Sequence, residues 1–337
     1  MAQSTFQAFV VDHEAGAEPG VRMLSTDDLQ GDVLVDVAWS SLNYKDGLAS
    51  IPEGKVARRS PLVVGVDLAG TVRESSDERF MPGRQVIAHG HDLGVSHHGG
   101  LAELARVPGD WVVQLPEGLS TRDAMVLGTA GFTAGLSLQL LEERGLTPDS
   151  GPVLVTGATG GVGSSAVAIL AARGYELHAS TGKDDAHEWL TSLSATTIWE
   201  RAEIEEHAER PLSKQLWAAT IDSVGGKTLA GALSATRYGG AVAASGLTGG
   251  AKLTTSVMPF ILRGVALVGA DSAYLDMAVR QAVWNRLGAD LRPADIDLLV
   301  DEEITLDGVQ AGLGVLLAGG ARGRKLVRLG GLATAST

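Results

Sequence analysis

The chain has 337 residues, 45% of them hydrophobic, no cysteine and a formal net charge of -13. The length leaves room for about two domains at ~150 residues each, and the missing thiols exclude disulfides, thiolate zinc sites, iron–sulfur ligation and cysteine nucleophiles. The acidic balance argues against a nucleic-acid partner, which calls for a basic face.

Met1 to Gln7 lack a basic segment followed by a long apolar run, and no stretch approaches ~18 uninterrupted apolar residues. The expectation is a cytoplasmic protein with no membrane partner. From Thr5 to about Val113 the apolar runs are short and often alternate, as at Val33, Val35 and Val37. Pro19-Gly20, Pro52-Glu53-Gly54 and Pro82-Gly83 punctuate them, the pattern of a small strand-rich barrel. After Pro116 the texture changes. Residues 121–143 carry helix formers with apolar spacing, and Pro152 to Thr156 reads as a buried parallel strand. Further strands are expected at 176–179, 196–199, 218–222, 241–245 and 265–268, with helical spacing between them, for instance at Ala186, Trp189, Leu190 and Leu193. Six strands alternating with helices indicate an α/β doubly wound parallel sheet of the Rossmann type. The tail from about Leu291 is turn-rich and ends in a candidate closing strand, Gly323 to Leu329. The expected domains are therefore 1–122 with 291–337 for the substrate and 123–290 for a dinucleotide.

The strand ending at Thr156 runs into Gly157-Ala158-Thr159-Gly160-Gly161-Val162-Gly163-Ser164. Glycines there permit a tight turn and close approach of backbone N–H groups to a pyrophosphate, which rests at the positive end of the next helix. A lone glycine motif is weak, but here it stands between a strand and an apolar-faced helix, as the motif requires. Binders of the unphosphorylated cofactor place an acid about 20 residues on. This chain instead has Ser180-Thr181-Gly182-Lys183, a set that suits a 2′-phosphate and favours NADPH. Arg201 is open between a second phosphate contact and a solvated charge among glutamates. Asp184 and Asp185 belong to the cap and first turn of the next helix.

Five blocks together resemble a known family: Ser40 to Asp46 (SSLNYKD), Pro61 to Val72, Gly128 to Ala134 (GTAGFTA), Val155 to Ser164, and Val257 to Gly264 (VMPFILRG). The chain resembles the medium-chain dehydrogenase/reductase superfamily, and within it the acryloyl-CoA reductase group, some members of which are called quinone oxidoreductases. The resemblance implies a GroES-like barrel, a Rossmann domain inserted before the last strands, a homodimer, and NADPH held by Tyr44, Thr159, Gly160, Gly161, Val162, Thr181, Gly182, Lys183, Arg201, Leu247, Ile261, Ser272 and Arg324. Where zinc members have Gly-His-Glu, this chain has Gly65-Val66-Asp67, so no catalytic metal is expected. Two departures stand out. Ser192-Leu193-Ser194-Ala195 replaces Ser-Leu-Gly-Ala, and His98 stands where a large aromatic is common, at the expected substrate mouth.

Reducing an activated double bond needs hydride delivery, a donor for the oxygen that gains charge, and a proton. Position and fixed dipoles suffice for much of this. Tyr44 is the candidate catalytic donor, or else a wall of the site; Asn43 is a second catalytic candidate or a loop holder, as is Asp46. Adjacent residues of an extended segment point oppositely, which turns Lys45 away from Tyr44. Thr129 is expected at the nicotinamide and Thr133 as a helix cap. His89, His91, His97 and His98 lie in a glycine-rich loop, read as a mobile element and not a metal site. Lys55, Arg58, Arg59, Arg263, Arg324 and Lys325 are the cations available to CoA phosphates. Rival functions are reduction of quinones or other enones, and NADPH binding without turnover.

Overall fold

Alternation of β-branched residues builds the first part of the chain. In the computed structural model, which describes residues 5–330, Val33, Val35 and Val37 lie on the strand Val33–Ser41 and enter one core with Val72, Val86 and Val107. That strand is central to a seven-stranded sheet. The order is Val300–Ile304, Arg324–Arg328, Val33–Ser41, Asp67–Ser75, Gln85–His89 and Val112–Gln114, with Leu104–Val107 also paired to Val33–Ser41. A three-stranded sheet, Ala17–Ser25, Thr5–Asp12 and Leu62–Val63, shares the interior. Thr5–Asp12 has both faces buried: Phe9 and Val11 join the main core, Phe6, Ala8 and Val10 a second cluster. The tail returns here from Val300 onward, with Leu326, Val327 and Arg328 paired antiparallel to Ser41, Ser40 and Trp39, whereas residues 291–299, expected here too, group with the second part.

The second part is a six-stranded parallel sheet ordered Thr197–Glu200, Leu177–Thr181, Val153–Thr156, Trp217–Asp222, Thr236–Ala244, Ala266–Gly269. By sequence the strands run 3-2-1-4-5-6, the doubly wound order. Val153–Thr156 is buried throughout, as its unbroken apolar run requires of a strand covered on both faces. The order reverses between this strand and Trp217–Asp222, where such sheets bind ligands at their carboxyl ends.

The chain divides into two compact units. One comprises residues up to Thr129, Ala273–Asn285 and the chain from Val300; the other comprises Ala130–Ser272 and Arg286–Leu299. The outermost residues of the expected first domain, 1–4 and 331–337, lie outside the described residues. Within the expected 123–290 span, Ala273–Asn285 belongs with the first unit. Trp284 and Arg280 are buried against His89, and Trp284 Nε1 donates to its Nε2 at 2.9 Å.

The expected helix over 121–143 forms as Thr121–Glu142, but Gly128 breaks it with φ 52 and ψ -156. This helix also passes length and hydropathy tests for a membrane span, yet 83% of its apolar window is buried in the protein. That is the character of a core helix.

Candidate functional site

In the first unit the site is a buried polar network under the helix Tyr44–Ser50. Its centre is Asp67, which is fully buried. One carboxylate oxygen accepts the Ser41 backbone N–H at 3.1 Å and the Ser41 hydroxyl at 2.8 Å. The other accepts Asn43 Nδ2 at 2.9 Å and the Thr129 N–H at 3.0 Å, with Nη2 of Arg324 3.8 Å away. Four donors and a guanidinium offset the cost of burying this charge.

Gly128 makes the network possible. A Cβ there would stand 2.7 Å from Arg324 Nη2, Asp67 Oδ2 and Ser41 Oγ alike. Its positive φ interrupts the helix and turns the Thr129 N–H toward Asp67.

Asn43 is the N-cap of Tyr44–Ser50, and its N–H donates to Asp46 Oδ2 at 2.8 Å. Its side chain is fully engaged: Nδ2 donates to Asp67 and to the Ser41 carbonyl, and Oδ1 accepts Arg324 Nη1 at 3.2 Å. Asn43 therefore holds the start of the helix and does not reach outward. Asp46 is buried and accepts the Val66 N–H at 2.9 Å. Burial first, and then the neighbouring Asp67 carboxylate, pushes its pKa up to about 7 against the pull of those N–H bonds.

Tyr44 is the first residue of a helix, not of an extended segment, so the opposite-face argument for Lys45 does not apply. Tyr44 is 42% exposed.

Arg324 corrects a sequence expectation. It is 3% exposed, and it donates to the Val126 carbonyl at 3.1 Å and to Ser41 Oγ at 2.6 Å. Those bonds use its guanidinium inside the protein. Thr133 lies inside the helix beyond Gly128, and its carbonyl accepts the Ser137 hydroxyl.

The histidine loop is packed and not a mobile mouth. Gly99, Gly100 and Leu101 donate N–H bonds to Val63, Gly65 and Val64, and a Cβ on Gly94, Gly99 or Gly100 would strike backbone. His98 accepts the Val63 N–H through Nδ1 at 3.0 Å, and burial first, then Arg59, pushes its pKa down to about 4. It is an interior residue. His89 is also held neutral, chiefly by burial and then by Arg280, while His91 stacks on Trp111.

The second unit carries the dinucleotide half. Gly157 (φ 58) turns the chain out of the first strand, the Ala158 N–H donates to Ser180 at the second, and Gly160 caps the helix Gly161–Ala172. A Cβ on Gly163 would collide with the Gly157 carbonyl and Ala158, so only glycine lets the helix pack this close. Thr159 is buried, Gly160, Gly161 and Val162 are partly open, and the loop fits a pyrophosphate at a helix N-terminus.

Thr181 ends the second strand, and its hydroxyl accepts the Lys183 N–H at 3.1 Å. Glu200 pairs in register with Thr181, which brings Arg201 alongside: a Cβ on Gly182 would lie 3.8 Å from the Arg201 Cζ. Among the described residues Arg201 has no carboxylate partner, and its guanidinium stands beside Gly182. Asp184, His187 and Glu200 form an acidic rim nearby, with ligand atoms within 4.8 Å of one another. Asp184 and Asp185 follow Lys183 in the first turn, and Lys183 itself is the cap residue.

Leu247 (62% exposed) and Ser272 follow the exits of the fifth and sixth strands, the same sheet edge as the glycine loop. Ile261 (71% exposed) is on Met258–Arg263, the helix leading into the sixth strand, and so stands ahead of that strand and not at its exit.

Sequence reasoning missed Asp222. Buried at the end of the fourth strand, it accepts the Thr156 hydroxyl at 2.6 Å and the Gly225 N–H at 2.8 Å, pinning together the two strands that flank the reversal of order. Burial raises its pKa. The available signal was an acid ending an apolar strand.

Models of known families match both halves of the chain. The alcohol dehydrogenase GroES-like domain model matches residues 29–117 and the zinc-binding dehydrogenase model residues 161–287. The chain is 49% identical to the acrylyl-CoA reductase AcuI of Ruegeria pomeroyi, over 96% of this chain and 98% of that protein. It is 51% identical, over 92% of this chain and 94% of the relative, to YhfP of Bacillus subtilis, which bears a quinone oxidoreductase name. The solved structure of yhfP, with NAD bound, superposes with TM-score 0.95 at 49% identity over 97% of this chain and 100% of that one. That of E. coli K-12 YhdH, with NADPH bound, gives 0.92 at 47% identity over 96% and 100%. With both halves matched and relatives of nearly full length at this identity, the chain belongs to the medium-chain dehydrogenase/reductase superfamily, in the group of the acrylyl-CoA reductases.

Proposed function

We propose that the chain reduces acryloyl-CoA to propanoyl-CoA with NADPH, in the cytoplasm, as a homodimer and without zinc. The observation that carries the cofactor choice is the meeting of Thr181, Gly182, Lys183 and Arg201 at the tip of the second strand. It offers a hydroxyl, backbone N–H groups and two cations where binders of the unphosphorylated cofactor hold an acid. The acyl substrate follows the acrylyl-CoA reductase among the relatives.

When bound, NADPH supplies the hydride for the β carbon of the unsaturated thioester. The glycine loop Gly157–Gly163 with Thr159 and Val162 would seat its pyrophosphate, and Leu247, Ile261, Ser272 and Thr129 are the further contacts we assign. Tyr44 is the exposed hydrogen-bond donor that we assign to the substrate, either for the oxygen that gains charge or for the α-carbon proton. Asn43, Asp67 and Arg324 position it by fixing the first turn of its helix.

Independence from zinc is supported by chemistry of the donors. The Asp67 carboxylate is already surrounded by four N–H or O–H groups and a guanidinium, and His89 is occupied by Trp284 and Arg280. Of the cations available to CoA phosphates, Arg263 is spent on three backbone carbonyls and Lys325 on Asp301 and Glu302. Lys55, Arg58 and Arg59, on one loop of the first unit, remain for that task.

Stopped-flow NADPH consumption with acryloyl-CoA against a panel of quinones tests the reading. A preference for acryloyl-CoA is expected. A hundredfold preference for a quinone would establish the other relative's namesake activity instead, and NADPH binding without oxidation by any acceptor would mean a protein that binds but does not turn over. Lys183→Ala should weaken NADPH far more than NADH, since it removes a partner of the 2′-phosphate; equal losses would defeat that role.

A further inference from the structure

The second unit has a hollow that the dinucleotide reading does not use. It lies at the entering ends of the fourth and fifth strands, beside Ala218, Ala219 and Gly240, whereas the glycine loop lies at the exits. Its volume is about 170 Å³, and its wall includes Arg144, Arg237 and Tyr238 but no carboxylate.

The two arginines are unusual in a chain of net charge -13. Among the described residues neither is ion-paired. Arg237 is fixed in place: Nη1 donates to the Ser150 carbonyl at 3.3 Å and occupies the space that a Cβ of Gly151 (φ +107) would fill. Arg144 donates to the Leu140 carbonyl at 3.1 Å through Nη1, which leaves the rest of its fork available. Gly145 and Gly239 form part of the wall, and a Cβ on either would meet nothing within 4 Å, so the mouth stays open. Tyr238, 77% exposed, anchors its backbone N–H on Gln215 and leaves its phenol at that mouth.

Two guanidinium groups facing one hollow repel each other until an anion joins them. Their planar forks match the oxygens of a tetrahedral dianion better than any neutral ligand. We propose that this hollow is a binding site for a small phosphate dianion, free or as a phosphomonoester, separate from the dinucleotide edge of the sheet. Both arginines donate to its oxygens, and Tyr238 covers the ester side.

The test titrates the full-length chain, saturated with NADPH so that the phosphate positions of the cofactor are filled, with inorganic phosphate and separately with glycerol 3-phosphate. Calorimetry and phosphorus NMR line width give the readout. One saturable site is expected, and tighter binding of glycerol 3-phosphate identifies the ester as its ligand. Arg237→Gln should weaken it by at least about tenfold, the scale of a charge-assisted bond. Arg144→Gln, at an exposed helix end with no burden on folding, should do likewise. Lys183→Ala should leave it unchanged, which keeps the outcome readable even if the cofactor reading fails. No saturable binding, binding that survives both arginine changes, or binding lost with Lys183 would overturn the proposal.

Discussion

Asp46 and His98 give the molecule opposite pH dependences. The Asp46 carboxyl, raised to about 7 by burial and Asp67, makes a contribution to stability that is present at low pH and is lost as pH rises through about 7. His98, lowered to about 4, contributes stability that is present above the ordinary imidazole range and is lost as pH falls toward 4. Between about pH 4 and 6.5 the two oppose each other, so chemical denaturation should show little net pH dependence there, whereas in His98→Gln stability should rise as pH falls from about 7 toward 4. An unchanged pH profile in His98→Gln would remove His98 as the opposing group. At the same scale, Tyr44→Phe should lower turnover with acryloyl-CoA by about 10²-fold, as loss of a proton donor does, while NADPH affinity holds. Unchanged turnover would leave Tyr44 as a wall. Tyr44 was singled out from a block that resembles a family, and Arg324 was carried over from the same resemblance. A block match says which residues lie near a site, but only the packing shows that Ser41, Asn43 and Val126 absorb every direction of the guanidinium.

Helices and strands were mostly visible in the sequence, since parallel strands buried on both faces leave continuous apolar runs and the doubly wound order follows from alternation with helices. What stayed hidden were the positions where one residue defies its element. Gly128 looked like any glycine in a helix-forming run, yet its φ of 52 ends one helical segment and starts the next. Gly128→Ala should cost at least about 2 kcal/mol, from positive φ combined with a collision against three polar atoms, measured as a drop in thermal midpoint. Ser194 is the converse. It departs from the family glycine at the end of the helix His187–Ser192 and adopts φ 76, a left-handed conformation that costs a residue with a Cβ roughly 1 kcal/mol. Ser194→Gly should raise stability by about that amount in denaturant titration. No gain would mean that its side chain compensates locally.

For the molecule as a whole, ligand linkage offers the broadest check. A cofactor that binds only the folded chain stabilises it by about 2.7 kcal/mol at a hundredfold excess over Kd, so NADPH should raise the thermal midpoint clearly more than NADH at equal concentration. In Lys183→Ala the difference should shrink. CoA binding to an acidic protein through Lys55, Arg58 and Arg59 should weaken with salt, and Arg58→Gln should raise KM for acryloyl-CoA with kcat little changed. Sedimentation velocity would measure the proposed dimer directly.

The polar network under Tyr44 is stitched from distant parts of the chain: Ser41, Asn43 and Asp67 come early, Thr129 from the middle, and Arg324 from the last described strand. During synthesis the early carboxylate must therefore wait for its guanidinium until Arg324 has left the ribosome. Until then, closing the barrel would bury Asp67 without its cation, at a cost of several kcal/mol. Competence is thus withheld from unfinished chains, and a nascent fragment ending before Arg324 should stay open to protease even though all its other core strands are present.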